Sequence, residues 1–225
     1  MITQIYETQN YDEAKKLVEL GVDYVGVLVG IKDEYPGELS PEQAVEVLRG
    51  VTGHSKKVVL SLSKNLNDIV IIVNKTNPDI LHLPAEPDAL SPANIQTLKK
   101  QFPNVKVMRT IPVGDEGCVE LAKQYDGIAD YLLLDSRRKS DSQIGATGET
   151  HDWNLSRKIV ESVSTPVILA GGLGVDNLAE AILKVKPFGV DSKSKTDKVG
   201  SREKDIEKVK EFVKIAKATG NKINC

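Results

Sequence analysis

Cysteine and net charge are both scarce in this sequence, and each shortage excludes a class of protein. The 225 residues include two cysteines, Cys118 and Cys225, which form no Cys-x-x-Cys pair and no metal-ligand spacing with the three histidines. A chain of this length buries a core large enough to fold without disulfides or structural metals. Its 30 basic and 32 acidic residues nearly cancel, which argues against a nucleic-acid partner. We therefore expect no bound metal and no nucleic acid.

Long apolar runs are also missing. No run approaches the roughly 20 apolar residues that span a bilayer, so we expect no membrane partner. The first residues, MITQIYETQNYDEAKK, contain no basic segment followed by an apolar one, and they predict no secretory signal. The scarcity of cysteine and the lack of such a signal together favour a reducing, cytoplasmic setting.

Short β-branched runs alternate with helical patterns along the whole chain. Several of these runs are apolar continuously rather than in alternation, which is typical of parallel strands covered on both faces. The predicted strands are Ile2–Ile5, Tyr24–Val29, Lys57–Leu62, Ile80–Leu83, Lys106–Thr110, Tyr131–Asp135, Pro166–Ala170 and Gly189–Ser192. The predicted helices are Tyr11–Leu20, Pro41–Arg49, Leu66–Lys75, Ser91–Phe102, Glu116–Tyr125, Leu155–Val163, Asn177–Lys186 and Glu203–Ala218.

The strict alternation of strands and helices implies parallel strands joined by right-handed crossovers. The length fits a single α/β domain over residues 1–225, built as a (β/α)8 TIM barrel. An open doubly wound sheet is the alternative. That fold favours a glycine-rich first turn that binds a dinucleotide, whereas the first turn here, Tyr6-Glu7-Thr8-Gln9, has no glycine.

A glycine pair marks the end of the seventh predicted strand. Gly171 and Gly172 let the backbone approach a ligand closely, and the next helix begins soon after them, where its N–H groups favour an anion. Strands seven and eight of such barrels often hold a phosphate. Ser194 and Lys195, in the loop after the eighth strand, supply a hydroxyl and an ammonium group to the same pocket. The alternative is a tight turn beside a solvated basic loop.

Asp135 ends the apolar run of the sixth predicted strand. A carboxylate at the mouth of a buried strand is partly desolvated, and desolvation raises its pKa and suits it to general acid catalysis. A capping role in a loop or helix is the alternative. We expect Asp135 to be catalytic, because the active sites of these barrels lie at the carboxyl ends of the strands.

Segments of the second half of the chain resemble one enzyme family. They are Leu133-Leu-Asp135, Gly145-Ala-Thr-Gly148-Glu-Thr-His-Asp152-Trp153, Leu169-Ala-Gly-Gly-Leu173 and Val185–Asp191. In order and spacing they are similar to phosphoribosylanthranilate isomerase, and looser matches such as Leu39-Ser-Pro-Glu-Gln-Ala44 extend the resemblance over nearly the whole chain. The resemblance implies a (β/α)8 barrel and an Amadori rearrangement of tryptophan biosynthesis. This is an aldose–ketose isomerisation that uses neither a metal nor an organic cofactor.

The resemblance also implies roles for individual residues. Asp135 matches the general acid, which protonates the ring oxygen of the sugar. The residues that match the phosphate site are Gly148, Gly171, Gly172, Ser194 and Lys195. Arg109 and Asp191 match positions that bind the rest of the substrate. The expected partner is thus a small phosphorylated substrate, and the family includes both monomers and homodimers.

The first strand departs from the family pattern. The family reads Lys-Ile-Cys-Gly there, with the cysteine thiolate as the base that removes a proton from C2′, and this chain reads Gln4-Ile5-Tyr6-Glu7. Tyr6 takes the place of the cysteine, and Glu7 is the candidate substitute base. The fourth strand of the family ends Gln-Leu-His-Gly, and this chain reads His82-Leu83-Pro84-Ala85.

Two alternatives stay open beside an isomerase with an altered base. One is a divergent paralog that acts on another phosphorylated sugar or metabolite. The other is a non-catalytic barrel that binds a phosphorylated ligand. The fold alone does not separate these functions, because this barrel hosts many chemistries.

Overall fold

The predicted strands form a closed parallel barrel in the computed structural model of the chain, which describes residues 1–31, 35–84, 90–136 and 150–223. Each strand pairs with the next one along the chain, and the last pairs with the first. The strands are β1 (Ile2–Ile5), β2 (Tyr24–Leu28), β3 (Lys56–Leu60), β4 (Ile80–Leu83), β5 (Lys106–Val113), β6 (Tyr131–Ser136), β7 (Val167–Leu169) and β8 (Gly189–Ser192). The predicted (β/α)8 fold is confirmed.

A helix follows every strand and covers the outside of the barrel. The helices are α1 (Tyr11–Glu19), α2 (Pro41–Leu48), α3 (Leu66–Thr76), α4 (Pro92–Gln101), α5 (Gly117–Tyr125), α6 (Trp153–Ser162), α7 (Leu178–Val185) and α8 (Ile206–Ile223), with a short 3-10 helix at Ser194–Thr196. Within the described ranges, no helix combines the length and the apolar character that crossing a membrane requires.

Serine residues cap the N-termini of two helices. Ser40 precedes α2, accepts a hydrogen bond from the Gln43 N–H at 3.2 Å, and donates its own N–H to Gln43 Oε1 at 2.8 Å. Ser91 forms the same kind of capping box at the start of α4, and a proline occupies the first turn of both helices. These reciprocal caps satisfy backbone donors that a helix start leaves without partners.

Most boundaries lie within two residues of the prediction, and two larger shifts have physical reasons. β5 continues past Thr110, because its last residues, Pro112 and Val113, still pair with β6. α8 begins only at Ile206. The residue before its first turn, Lys204, is buried instead in a separate contact, where its N–H donates to Glu13 Oε1 at 2.7 Å and its ammonium group donates to Asp197.

Strand alternation divides the side chains into an inner set and an outer set. The inner set fills the barrel and consists of Tyr6, Tyr24, Val58, Ile80, Met108, Leu133, Ile168 and Ala170. Their strand neighbours, such as Ile5 and Val107, pack outward against the helices. Because successive residues point to opposite faces, a side chain two positions beyond an inner residue also points inward, toward the carboxyl end of the barrel.

Candidate active site

A cavity of about 160 Å³ opens at the carboxyl ends of the strands. Several of its lining residues continue the inner set of side chains, and others come from the loops that follow the strands. The polar and glycine lining consists of Tyr6, Glu7, His82, Thr110, Asp135, Gly171, Gly172, Asp191, Ser192, Lys193, Ser194 and Lys195. Leucine side chains supply most of the apolar wall, and Leu133 and Leu173 are buried in it.

Tyr6 crosses the barrel and forms a buried hydrogen-bond chain. Its hydroxyl lies 2.5 Å from Nδ1 of His82 on β4, and Nε2 of His82 lies 2.6 Å from the Thr110 hydroxyl on β5. The Tyr6 ring occupies the space beside Gly26, where a Cβ atom would lie 2.4 Å from the ring. The glycine on β2 therefore allows the phenol to reach the opposite side of the barrel.

Burial keeps both rings of this chain neutral. It raises the pKa of the Tyr6 phenol well above its ordinary value, and the negative charges of Asp191 and Asp135 act in the same direction. Burial also lowers the pKa of His82 to about 3, helped by the positive charge of Arg109. Both contacts are therefore hydrogen bonds between neutral groups, in which each nitrogen of His82 has one hydroxyl partner.

Two carboxyl groups line the cavity at the ends of β6 and β8: Asp135, which is half-buried, and Asp191, which is buried. Burial raises the pKa of Asp135 to about 7, although the N–H of Ser136 donates to its carboxylate at 2.7 Å and opposes the shift. Burial and the negative charge of Asp135 raise the pKa of Asp191 to about 8, against the opposing effect of the Gln4 side chain, which donates to Oδ1 at 3.1 Å. Carboxyl groups with such raised pKa values can donate a proton to a substrate, or accept one from it, near neutral pH.

Glu7 occupies the loop after β1 in a left-handed backbone conformation, with φ of 58°. Its Oε2 atom lies 2.8 Å from Nη1 of Arg202 and 3.2 Å from Nζ of Lys193. Both cations come from the segment after β8. These two ion pairs help to hold a backbone conformation that costs a non-glycine residue on the order of 1 kcal/mol.

The glycine pair after β7 forms a turn that other residues cannot replace. The φ angles of Gly171 and Gly172 are 82° and 62°, both in the left-handed region. A Cβ atom at Gly171 would lie 2.4 Å from Oγ of Ser136 and 2.8 Å from Nδ1 of His151. Among the described residues, none accepts a hydrogen bond from the backbone N–H of Gly172 or Leu173. The turn thus offers backbone donors to an anion in the cavity.

The loop after β8 lies against the same turn. The 3-10 helix contains Ser194 and Lys195. Lys195 packs closely against Gly174: a Cβ atom added at Gly174 would lie only 2.9 Å from Cβ of Lys195. The side chain of Asn177 orders the turn from below, since it donates to the Gly172 carbonyl at 3.1 Å and accepts from the Gly174 N–H at 2.9 Å.

The structure brings most of the predicted site residues to one cavity. The residues that line it are Glu7, Asp135, Gly171, Gly172, Asp191, Ser194 and Lys195. Gly148 lies outside the described residues. Arg109 is fully buried, and its guanidinium lies 4.9 Å from the ring centroid of Tyr125 on α5. The position of Arg109 in the strand explains this placement, because Met108 and Thr110 on either side of it face the barrel interior.

Sequence reasoning missed His82, Thr110 and Gln4 as components of the site. All three lie on strands and face inward, Gln4 beside Asp191 and the other two beside Tyr6. The signal that could have found His82 is its position two residues after Ile80, an inner residue of the same strand. Its contact with Tyr6 joins β1 to β4 and carries no local signature.

Comparison with known proteins places this geometry in a family. A family model described as N-(5′-phosphoribosyl)anthranilate (PRA) isomerase matches residues 4–215. The N-(5′-phosphoribosyl)anthranilate isomerase of Methanocella arvoryzae is 35% identical over 217 residues, which cover 96% of this chain and 98% of that protein. N-(5′-phosphoribosyl)anthranilate isomerase 2 of Methanosarcina mazei is 32% identical over 206 residues, with coverage of 92% and 89%.

Solved structures of the same name have the same fold. The N-(5′-phosphoribosyl)anthranilate isomerase of Pyrococcus furiosus superposes with a TM-score of 0.78 at 26% sequence identity, covering 97% of this chain and 99% of that one. The phosphoribosyl anthranilate isomerase of Thermotoga maritima gives a TM-score of 0.79 at 25% identity, covering 97% and 100%.

Proposed function

The chain belongs to the N-(5′-phosphoribosyl)anthranilate isomerase family, and we propose that its cavity rearranges N-(5′-phosphoribosyl)anthranilate to the aminoketose, with Asp135 as the general acid. The enzyme is thus an isomerase of tryptophan biosynthesis. The observation that carries the proposal is the shared cavity, in which a carboxyl group of raised pKa and a glycine turn suited to an anion meet. The reaction needs a general acid at the sugar ring and a site that binds the phosphate. The cavity contains a candidate for each.

Asp135 supplies the first proton transfer. With a pKa of about 7, the group is protonated in a large fraction of molecules at neutral pH and remains acidic enough to donate. Its proton goes to the ring oxygen of the ribose as the bond from that oxygen to C1′ breaks. The lone pair of the anthranilate nitrogen forms the C1′=N bond, so the ring opens to a Schiff base.

The phosphate binds at the glycine turn after β7. Backbone N–H groups of Gly172 and Leu173 donate to phosphate oxygens, while Ser194 adds a hydroxyl and Lys195 adds a positive charge. Gly148 belongs to the proposed phosphate set through the family resemblance alone. Arg109 is not part of the proposed binding set, because its side chain lies among the helices.

Glu7 has a positioning role in this proposal rather than the role of the base. Its Oε2 atom already contacts the two cations Lys193 and Arg202, so one of its two carboxylate oxygens is engaged in ion pairs. Lys193 also lines the cavity. The ion pairs of Glu7 therefore fix a cation at the edge of the substrate site.

The proposed setting is the cytoplasm, with a small phosphorylated substrate and a monomer or homodimer as the assembly. A Thermotoga maritima relative of 25% identity is named as a dimeric enzyme from which monomers were generated. The relatives that match over most of the chain are N-(5′-phosphoribosyl)anthranilate isomerases by name, which is consistent with a small phosphorylated substrate.

The test is turnover of N-(5′-phosphoribosyl)anthranilate by the purified protein, followed by the fluorescence of the anthranilate group. We expect saturable turnover, and we expect Asp135→Asn to reduce kcat by about 100-fold or more, the usual contribution of a general acid. Failure to exceed the uncatalysed rate at equal concentrations of enzyme and substrate would overturn the proposed function. Binding of the substrate without turnover would instead support a phosphate-ligand-binding barrel.

A further inference from the structure

The second half of the rearrangement removes the proton from C2′, and this step needs a base. We propose that Asp191 is that base, so that a pair of carboxyl groups, Asp135 and Asp191, carries out the whole isomerisation. This inference rests on the proposed function and extends it to a second catalytic residue.

The first support is the position of Asp191 in the barrel. Asp191 is 7% exposed and points into the cavity from β8, the strand that neighbours β1. It pairs in register with Gln4, whose amide group holds Oδ1, and the N–H of Tyr6 donates to the Ser192 carbonyl at 3.1 Å. The carboxylate therefore lies beside position 6 on the neighbouring strand, facing the same space.

The second support is the state of the other proton acceptors in the described cavity lining. The Tyr6 hydroxyl is hydrogen-bonded to His82, and its raised pKa opposes loss of the hydroxyl proton. His82, with a pKa of about 3, accepts a full proton poorly. Glu7 is bound by two cations through the same oxygen atom. Asp191 is the remaining carboxylate of the described cavity lining besides Asp135 and Glu7.

The third support is the coupling between the two aspartates. Each pKa lies near neutrality, and the charge of Asp135 contributes to the raised pKa of Asp191. Between about pH 7 and 8 the two groups therefore hold about one proton between them. We expect an N–H donor from the substrate amine to stabilise the carboxylate of Asp191 and so to favour the proton on Asp135.

The full cycle balances with these two groups. After Asp135 has given its proton to the ring oxygen, Asp191 removes the proton from C2′. The C–H electrons form the C1′=C2′ bond, and the C1′=N electrons return to nitrogen, which gives an enolamine. Asp191 then delivers its proton to C1′, while the C2′ hydroxyl loses its proton to Asp135 as the ketone forms. Both carboxyl groups end as they began.

The experiment compares wild type, Asp191→Asn and Asp115→Asn on the substrate and on the same substrate deuterated at C2′. Asp115 is an exposed aspartate in the loop after β5 and is the matched control. We expect Asp191→Asn to lose about 100-fold or more in kcat and to show a larger deuterium isotope effect, because removal of the C2′ proton then limits the rate. Asp115→Asn should leave both values unchanged.

A second variant separates a missing base from a damaged fold. In Asp191→Ala we expect added formate to restore part of the lost turnover, since a small carboxylate can occupy the vacated space. If wild type turns over the substrate and Asp191→Asn loses less than 10-fold in kcat, the role of Asp191 is overturned and the proposed function stands. A large loss with an unchanged isotope effect and no rescue by formate would overturn that role as well. Absence of wild-type turnover would overturn both.

Discussion

The hydroxyl of Tyr6, the residue directly after β1, lies 2.5 Å from Nδ1 of His82 on β4, so one side chain spans the floor of the cavity and connects two non-neighbouring strands. Tyr6 replaces the thiolate that the family resemblance leads one to expect, and His82 stands in the fourth strand where the family pattern also differs. The two residues that differ from the family pattern, Tyr6 and His82, are thus hydrogen-bonded to each other. The bond makes position 6 a structural element of the cavity floor.

Tyr6→Phe tests that interpretation. The change removes the hydroxyl and leaves Nδ1 of buried His82 without its hydrogen-bond partner, which costs about 1–2 kcal/mol in the free energy of unfolding. Because Tyr6 is not the base in this account, kcat should fall by less than about 10-fold. Urea denaturation and steady-state kinetics measure the two effects. A large loss of kcat with unchanged stability would instead make the phenol a catalytic group.

Glu7→Gln tests whether Glu7 positions cations or removes the proton. The variant keeps the shape of the side chain and removes the charge that binds Lys193 and Arg202. We expect a loss of less than about 1 kcal/mol in stability and less than about 10-fold in kcat. The matched control is Glu46→Gln, which removes an exposed ion pair with Arg49 far from the cavity. A loss of kcat by about 1,000-fold would return Glu7 to the role of the base.

Gly171→Ala tests the phosphate turn. The added methyl group meets Ser136 and His151, and the φ of 82° is strained for alanine, so the turn has to shift. We expect KM to rise by about 10-fold or more, the equivalent of about 1.4 kcal/mol of lost binding, and inhibition by inorganic phosphate to weaken in parallel. Gly53→Ala is the control, because Gly53 has a φ of 67° with open space around it. Equal KM values for the two variants would show that the turn does not bind the phosphate.

The two aspartates also make the stability of the fold depend on pH. In the unfolded chain an aspartate loses its proton near pH 4, whereas Asp135 and Asp191 keep theirs to about pH 7 and 8 in the folded state. Between these limits the folded state binds more protons, so their contribution is fully present below pH 4 and is lost as pH rises through 8. Asp191→Asn removes one such group. Its free energy of unfolding should exceed that of wild type by an amount that grows from pH 5 to pH 9, on the order of a few kcal/mol. A constant difference across this range would contradict the raised pKa.

The sequence predicts the barrel because its signals are local. Alternation of apolar runs with helix caps such as Ser40 and Ser91 repeats along the whole chain, and the carboxyl end of each strand locates candidates such as Asp135 and Gly171. The height of a residue along a strand is therefore predictable.

The side of the strand that a residue faces, and its contacts with distant parts of the chain, are harder to predict. Arg109 lies on β5 at the level of the site residues, but its side chain points to the helices, because one step along a strand reverses the direction of a side chain. The contact of Tyr6 with His82 depends on the space that Gly26 leaves open on a third strand. The left-handed backbone of Glu7 depends on cations from the segment after β8.

The pH dependence of kcat/KM for wild type and Asp191→Asn tests the central claim most directly, namely that the two carboxyl groups Asp135 and Asp191 perform the isomerisation without a thiolate. The account predicts a bell-shaped wild-type profile that is highest between about pH 7 and 8, where the pair holds one proton. It predicts that Asp191→Asn abolishes the bell together with most of the rate. A wild-type enzyme without turnover at any pH, or an Asp191→Asn variant that keeps the bell and the rate, would contradict it.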